Sequence, residues 1–310
     1  MGTTIEKLNK VLETKEAIRT AINSKGGTLT ESDTFSSYST AIDNIQTGGG
    51  ENPLQLYLDT RNTAQYLFSG VGYSEGGVTY STNFTDITYE KLKELMSDVS
   101  FSNVINMSFM FSYCKKITTI PQLDTSSVNN MRKMFEACSS LITIPQLDTS
   151  SVIDMYAMFS GCSRLTSIPL LDTSKVANMS NMFNSCSRLT SISQLDTSKV
   201  TDMNYMFIRC STLEKIDITT FTYNSDGFAG DCYSLKTLII RTMNTIPRLY
   251  NGAFSNCYHF YGTTNATYNP EGLKDGAIYV PDDKVDALKV ATNWSVFADI
   301  IKPLSEYVEE

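Results

Sequence analysis

Histidine is almost missing from this 310-residue chain: His259 is the only one. A Ser/His/Asp triad or a Cys/His pair therefore has one place to form, beside Cys257 in the run CYHFY. That cysteine belongs to a repeated column described below, which argues against a nucleophile. Neither G-x-x-x-x-G-K-[ST] nor G-x-G-x-x-G occurs, so no phosphate-cradling loop is expected. No run approaches 18 apolar residues, which excludes an ordinary membrane-spanning helix. The first 25 residues lack an apolar core of the kind that drives secretion. The expectation is a protein that stays in the cytoplasm or leaves by lysis, although removal of a signal would look the same. Basic clusters are missing too. With 25 Lys and Arg against 33 Asp and Glu, the net charge is −8, which disfavours nucleic acid and anionic membrane surfaces. No catalytic residue, cofactor or metal is expected from these absences, and no membrane insertion.

What the chain has instead is a repeat. Leu123, Leu147, Leu171 and Leu195 each open an identical LDTS, always 24 residues apart. The same step joins Val104, Val128, Val152, Val176 and Val200, and likewise Met107, Met131, Met155, Met179 and Met203. Met-Phe pairs recur at 110–111, 134–135, 158–159, 182–183 and 206–207. The unit reads V-x-x-M-x-x-M-F-x-x-C-x-x-L-x-x-I-P-x-L-D-T-S-x. Two looser copies follow, centred on Phe228, Cys232, Leu235 and Leu238, and on Phe254, Cys257 and Phe260.

Each part of the unit predicts a local structure. Val128, Met131, Met134 and Phe135 lie at i, i+3, i+6 and i+7, the stripe of a short helix. Thr125 or Ser126 would supply its N-cap. Cys138, Leu141 and Ile144 then lead into a short extended segment. Pro121, Pro145 and Pro169 mark where pairing between units ends, because proline cannot donate to a ladder. One helix and one strand per 24 residues would give an α/β, leucine-rich-repeat-like solenoid of about seven coils over residues 101–262. A unit this small cannot bury its own apolar face, so its energy must come from its neighbours.

All seven cysteines, at 114, 138, 162, 186, 210, 232 and 257, share one column. A catalytic cysteine would be singular, a zinc site would show short paired spacings, and a disulfide framework prefers an even count. The column reads as a small buried core residue. Ten of the thirteen methionines fill two columns and read as core in the same way. Asp124, Asp148, Asp172 and Asp196 form a column of like charge that would either cap turns or hold a cation.

The unit LDTSKVTDMNYMFIRCSTLEKI resembles the BspA-type leucine-rich repeats of bacterial surface proteins, over roughly residues 100–262. That resemblance implies a solenoid used for adhesion and recognition, with no catalytic residues to carry over. The opening, IEKLNKVLETKEAIRTAINSKGGTLTESDTFSSYSTAIDNI, resembles the amino-terminal segment of phage virion proteins such as tail fibres. The close, AIYVPDDKVDALKVATNWSVFADIIKPLSEY, is similar to the cap that ends BspA-like arrays.

Organisation follows from these parts. Residues 1–47 read as a helical anchoring and oligomerisation segment, with Ile5, Leu8, Leu12, Ile18 and Ile22 on one face. A homo-oligomer is expected, a trimer favoured, since so short a segment seldom folds alone. Residues 48–53 are a Gly-rich linker, 54–100 an N-terminal cap ending in a helix at Tyr89–Met96, and 263–310 an α/β C-terminal cap around Trp294. The expected function is non-enzymatic: a phage head or tail fibre that contacts other virion proteins through its N-terminal segment and a bacterial surface glycan or protein through the solenoid. Its place would be the virion. A BspA-like adhesin on the bacterial cell surface and a purely structural virion decoration are the alternatives. The best contact positions flank the extended segments: Thr119, Gln122, Thr143, Gln146, Ser167, Ser191 and Gln194. Their small polar side chains would form a flat hydrogen-bonding lattice.

Overall fold

The computed structural model describes residues 63–309, except for 66, 70–72, 76–77, 81–83, 98, 222–224 and 251. The expected anchoring segment, with Ile5, Leu8, Leu12, Ile18 and Ile22, lies outside the described residues, as does the Gly-rich linker. The fold is mixed α/β. A two-stranded antiparallel hairpin, β1 (Tyr73–Glu75) and β2 (Val78–Tyr80), precedes helix α1 (Tyr89–Leu95). Thr88 caps α1 by accepting from the Lys91 amide, and Leu92 is buried on its inner side. Far downstream, β3 (Lys215–Ile218), β4 (Thr237–Ile240), β5 (Ala277–Val280) and β6 (Ile301–Pro303) form one parallel sheet in chain order. Helix α2 (Tyr258–Tyr261) lies between β4 and β5, and α3 (Val285–Val290) between β5 and β6.

The repeats between α1 and β3 contain no helix, which corrects the expectation of one per unit. Met131, Met134, Phe135 and Cys138 do share a buried face, but consecutive turns put them there. Lys133 and Ala137 adopt positive φ of 54° and 57°. The same two positions are positive at Phe109 and Tyr113, at Ala157 and Gly161, at Asn181 and Ser185, and at Tyr205 and Arg209. A left-handed residue costs about 1 kcal/mol or more outside glycine and breaks a helical hydrogen-bond ladder. The amides released this way point along the stack. Met131, Lys133, Phe135 and Ala137 donate to the carbonyls of Asp154, Tyr156, Met158 and Ser160 in the next repeat, at 2.6–3.0 Å. Met134, Glu136 and Cys138 donate back three residues, to Met131, Lys133 and Phe135. Alternate amides thus serve the turn and the neighbour, and none of these groups is left unpaired. A helix would use every amide internally and offer the next repeat nothing.

Neighbouring repeats also meet through single parallel bridges: Thr63 to Asn106, then Asn106, Asn130, Asp154, Asn178 and Asp202 in succession. The bridge at Thr63 shows that residues 63–65 and 67–69 belong to a further, degenerate turn of the stack. The Ala64 and Phe68 amides donate to the Asn106 and Met110 carbonyls, and the Phe68 ring stacks on Phe111. This turn falls inside the segment 54–100 expected to be an N-terminal cap. An insertion carrying β1, β2 and α1 separates it from the next repeat, which hides its period.

Five phenylalanines, Phe111, Phe135, Phe159, Phe183 and Phe207, continue the stack begun by Phe68. Their ring centroids step by 5.4–5.7 Å with interplanar angles of 5–9°. All five are fully buried. Burial of each is worth about 1.5–3 kcal/mol, and stacking adds about 0.5–1.5. Burial dominates, and stacking selects the register.

The core continues into the C-terminal region without a break. Leu288 of α3 is buried, and Val285 packs against it from the rim. Trp294 is fully buried and its indole N–H donates to the Pro247 carbonyl at 2.8 Å. It closes the stack as a packing residue.

Candidate binding surfaces

The seven sulfurs stand in one buried file, each as a free thiol. Each donates to a backbone carbonyl of the preceding turn: Cys138 to Phe111, Cys162 to Phe135, Cys186 to Phe159 and Cys210 to Phe183, at 3.0–3.1 Å. Cys114 donates to the degenerate turn at Phe68, and Cys257 to Ala229. Burial pushes the thiols of Cys138, Cys162, Cys186, Cys232 and Cys257 well above their ordinary range. Such sulfurs are poor nucleophiles. Cysteine is therefore a small residue that also ties repeat to repeat.

The aspartate column sits in the turns after each Leu123-type residue. Asp124 accepts from both the amide and the hydroxyl of Ser126, at 3.1 and 2.6 Å. Asp148 and Asp172 repeat this with Ser150 and Ser174, and Asp196 accepts from the Ser198 amide. Serine hydrogen bonds hold all four carboxyls below their usual range. For Asp148, repulsion from Asp124 and Asp172 is weaker than those bonds. The column therefore builds Asx turns. Among the described residues, no group of three or more His, Cys, Asp or Glu side chains is placed to hold a metal ion.

The expected cap role of threonine changes with the missing helix. Thr125 and Thr149 are buried and donate to the Asp148 and Asp172 carbonyls of the next repeat, at 2.8 and 2.9 Å. Thr197 donates to Thr220 in the same way, whereas the buried Thr173 hydroxyl has no partner. A second structural column escaped the sequence reading altogether. Asn106, Asn130, Asp154, Asn178 and Asp202 each accept, through Oδ1, from the amide two residues ahead, at 2.8–3.0 Å. The signal was a strict Asn/Asp alternative two positions after each valine.

The expected contact positions divide into two groups. Thr143, Ser167 and Ser191 are exposed and Thr119 is half-buried, in one file along the stack. The glutamines are exposed but partly committed. Gln122 Nε2 donates to the Leu123 and Gln146 carbonyls, and Gln146 Nε2 to those of Leu147 and Leu170. Their amide nitrogens brace one repeat against the next, and their side-chain oxygens take no part in those bonds. Gln194 is exposed at the last position of this column, next to the Leu195–Ile218 bridge.

Cys257 and His259 do not meet as a catalytic pair would. The thiol donates to Ala229, and His259 Nδ1 lies 2.6 Å from Asp275 Oδ1. The imidazole is buried and links α2 to the approach to β5.

A family described as Mycoplasma protein of unknown function, DUF285, matches residues 79–169 and 166–229. Domains of this kind occur in BspA-like repeat proteins, so the match links the chain to that group. It runs from the inserted hairpin through the five strict repeats to Ala229. No curated protein matches the chain.

Proposed function

We propose that the chain is a non-enzymatic recognition protein, a solenoid of about seven coils carried as a phage virion appendage. The observation that supports this most is the unbroken file of inter-repeat bonds and buried thiols, which uses the polar and reactive side chains of the repeat for construction. What remains outward is a row of small hydroxyls at Thr143, Ser167 and Ser191 with the exposed glutamines beside it. Such a surface suits contact with a glycan or protein of the host envelope. The resemblance of the first 45 or so residues to virion proteins supports attachment and trimerisation there.

The DUF285 match favours a second reading, a BspA-like adhesin on a bacterial surface. Antibodies against the full chain separate the two. Labelling of particles in a lysate supports the appendage, and labelling of intact, unlysed cells supports the adhesin. In either setting, alanine at Thr143, Ser167 and Ser191 together should weaken envelope binding by about tenfold. Unchanged binding removes the column from the interface.

A further inference from the structure

The strict step of 24 is lost after Phe207: Phe228 follows it by 21 residues, and Phe254 follows Phe228 by 26. A cleft of about 470 Å³ opens on the turn side of the stack at this break. That volume falls within the range of about 300–1,000 Å³ typical of small-molecule sites. Tyr205 and Tyr250 both line it. Tyr205 is 43% exposed, at a column filled by Ala157 and Asn181 in the two repeats before it.

Backbone and packing hold Tyr205. Its amide donates to the Asp226 carbonyl at 2.8 Å, while Asn204 Oδ1 accepts from the Asp226 amide at 2.7 Å. Gly227 has φ of +54°, and a Cβ there would come within 2.6 Å of the Tyr205 ring. The ring that lies over it is what requires glycine here, since Lys133 and Tyr205 hold the equivalent turn position at positive φ with full side chains. Also in the lining, the Arg248 guanidinium sits 5.2 Å from the Tyr250 ring centroid. Asn293, also in the lining, donates through Nδ2 to the Leu249 carbonyl at 2.6 Å, and its Oδ1 takes no part in that bond.

We propose that this cleft binds a neutral pyranose. A sugar ring has apolar C–H faces and a rim of hydroxyls. Two phenol rings match the faces. The Asp226 carboxylate and Asn293 Oδ1 accept from hydroxyls, and Arg248 and Ser255 donate to them. One carboxylate and one guanidinium leave no net charge in the cleft, so a neutral polyol fits better than an ion. The site is separate from the hydroxyl column and stands whether the chain serves a particle or a cell surface.

Saturation-transfer NMR on the full chain tests this, with galactose, glucose and N-acetylglucosamine as probes and galacturonate and glucosamine as charged controls. The expected result is transfer to at least one neutral sugar, weakened about tenfold both by Tyr205→Ala and by Asp226→Asn, with unchanged melting. It should be indifferent to alanine at Thr143, Ser167 and Ser191. Should Tyr205→Ala melt early, Tyr250→Ala carries the aromatic arm. Transfer to none of the neutral sugars, transfer to the charged ones alone, or transfer that survives these variants would overturn the proposal.

Discussion

The two halves of the stack solve one problem differently. From Val104 to Phe207 the repeats touch through single bridges and turn amides, and their phenylalanines lie parallel. From Lys215 to Pro303 they touch through strands of three or four residues, and the rings meet edge to face: 83° between Phe207 and Phe228, and 80° between Phe228 and Phe254. Two sequence differences explain the change. Pro121, Pro145 and Pro169 stand at the position where β3 has Asp217, and proline cannot donate to a strand ladder. Identical 24-residue steps also place identical rings in identical frames, whereas steps of 21 and 26 rotate them. Strict repetition yields stacking, and its loss yields strands and the cleft beside Tyr205.

The largest test of this contrast is in the rings. Phe159→Ala should cost about 5 kcal/mol and Phe228→Ala about 3 in urea unfolding, both within the usual span for such truncations. A ring held between two parallel copies leaves a cavity its neighbours cannot fill, whereas edge-packed rings can shift. Equal costs would erase the distinction. Next comes Asp217, which is nearly inaccessible and takes two bonds from Arg241 at 2.9 and 2.6 Å. Asp217→Ala should lose about 1.5–3 kcal/mol by thermal or chemical melting, because two bonds between this nearly inaccessible carboxylate and a partly exposed guanidinium are lost. A cost near zero would mean that the strand half does not rely on this pair.

A smaller effect, of opposite sign, is expected at Ser193, which occupies the proline column of the fourth repeat. Ser193→Pro should leave the melting point unchanged or stabilise by about 0.4–1 kcal/mol through the unfolded chain. Ile239→Pro, inside β4, should unfold the sheet. The smallest effect is acid sensitivity. Serine hydrogen bonds hold the carboxyls of Asp124, Asp148, Asp172 and Asp196 below their ordinary value of 3.8 in the folded chain. Their contribution is therefore complete above that pH and is lost as the pH falls through and below it. Replacing all four with Asn keeps the Asx turns but removes the titration. Its melting point should fall less between pH 5 and pH 2 than that of the parent, and parallel curves would assign acid loss to other groups.

Much of the core could be read from the sequence. The valine, methionine, phenylalanine and cysteine columns are buried. The helix was misread for a physical reason. Apolar residues at i, i+3, i+4 and i+7 lie on one face both in a helix and in consecutive turns with a left-handed residue every fourth position. Residues such as Lys133 and Tyr205 give no warning of positive φ, since that conformation is imposed by the bond to the next repeat. The glutamine column shows the same limit. Exposure was foreseeable, but the loss of its amide donors to neighbouring carbonyls was not.

Composition and spacing alone determined that equivalent positions recur every 24 residues, and with them the identity of the core and the single environment shared by all the thiols. Repetition in a chain that must bury apolar faces leaves few other solutions. Only the tertiary structure decided how each unit bends, where strands replace bridges, and which polar groups remain free to meet a ligand. Those outcomes depend on hydrogen bonds between residues about 24 apart, and a local pattern carries no record of its partner across that distance.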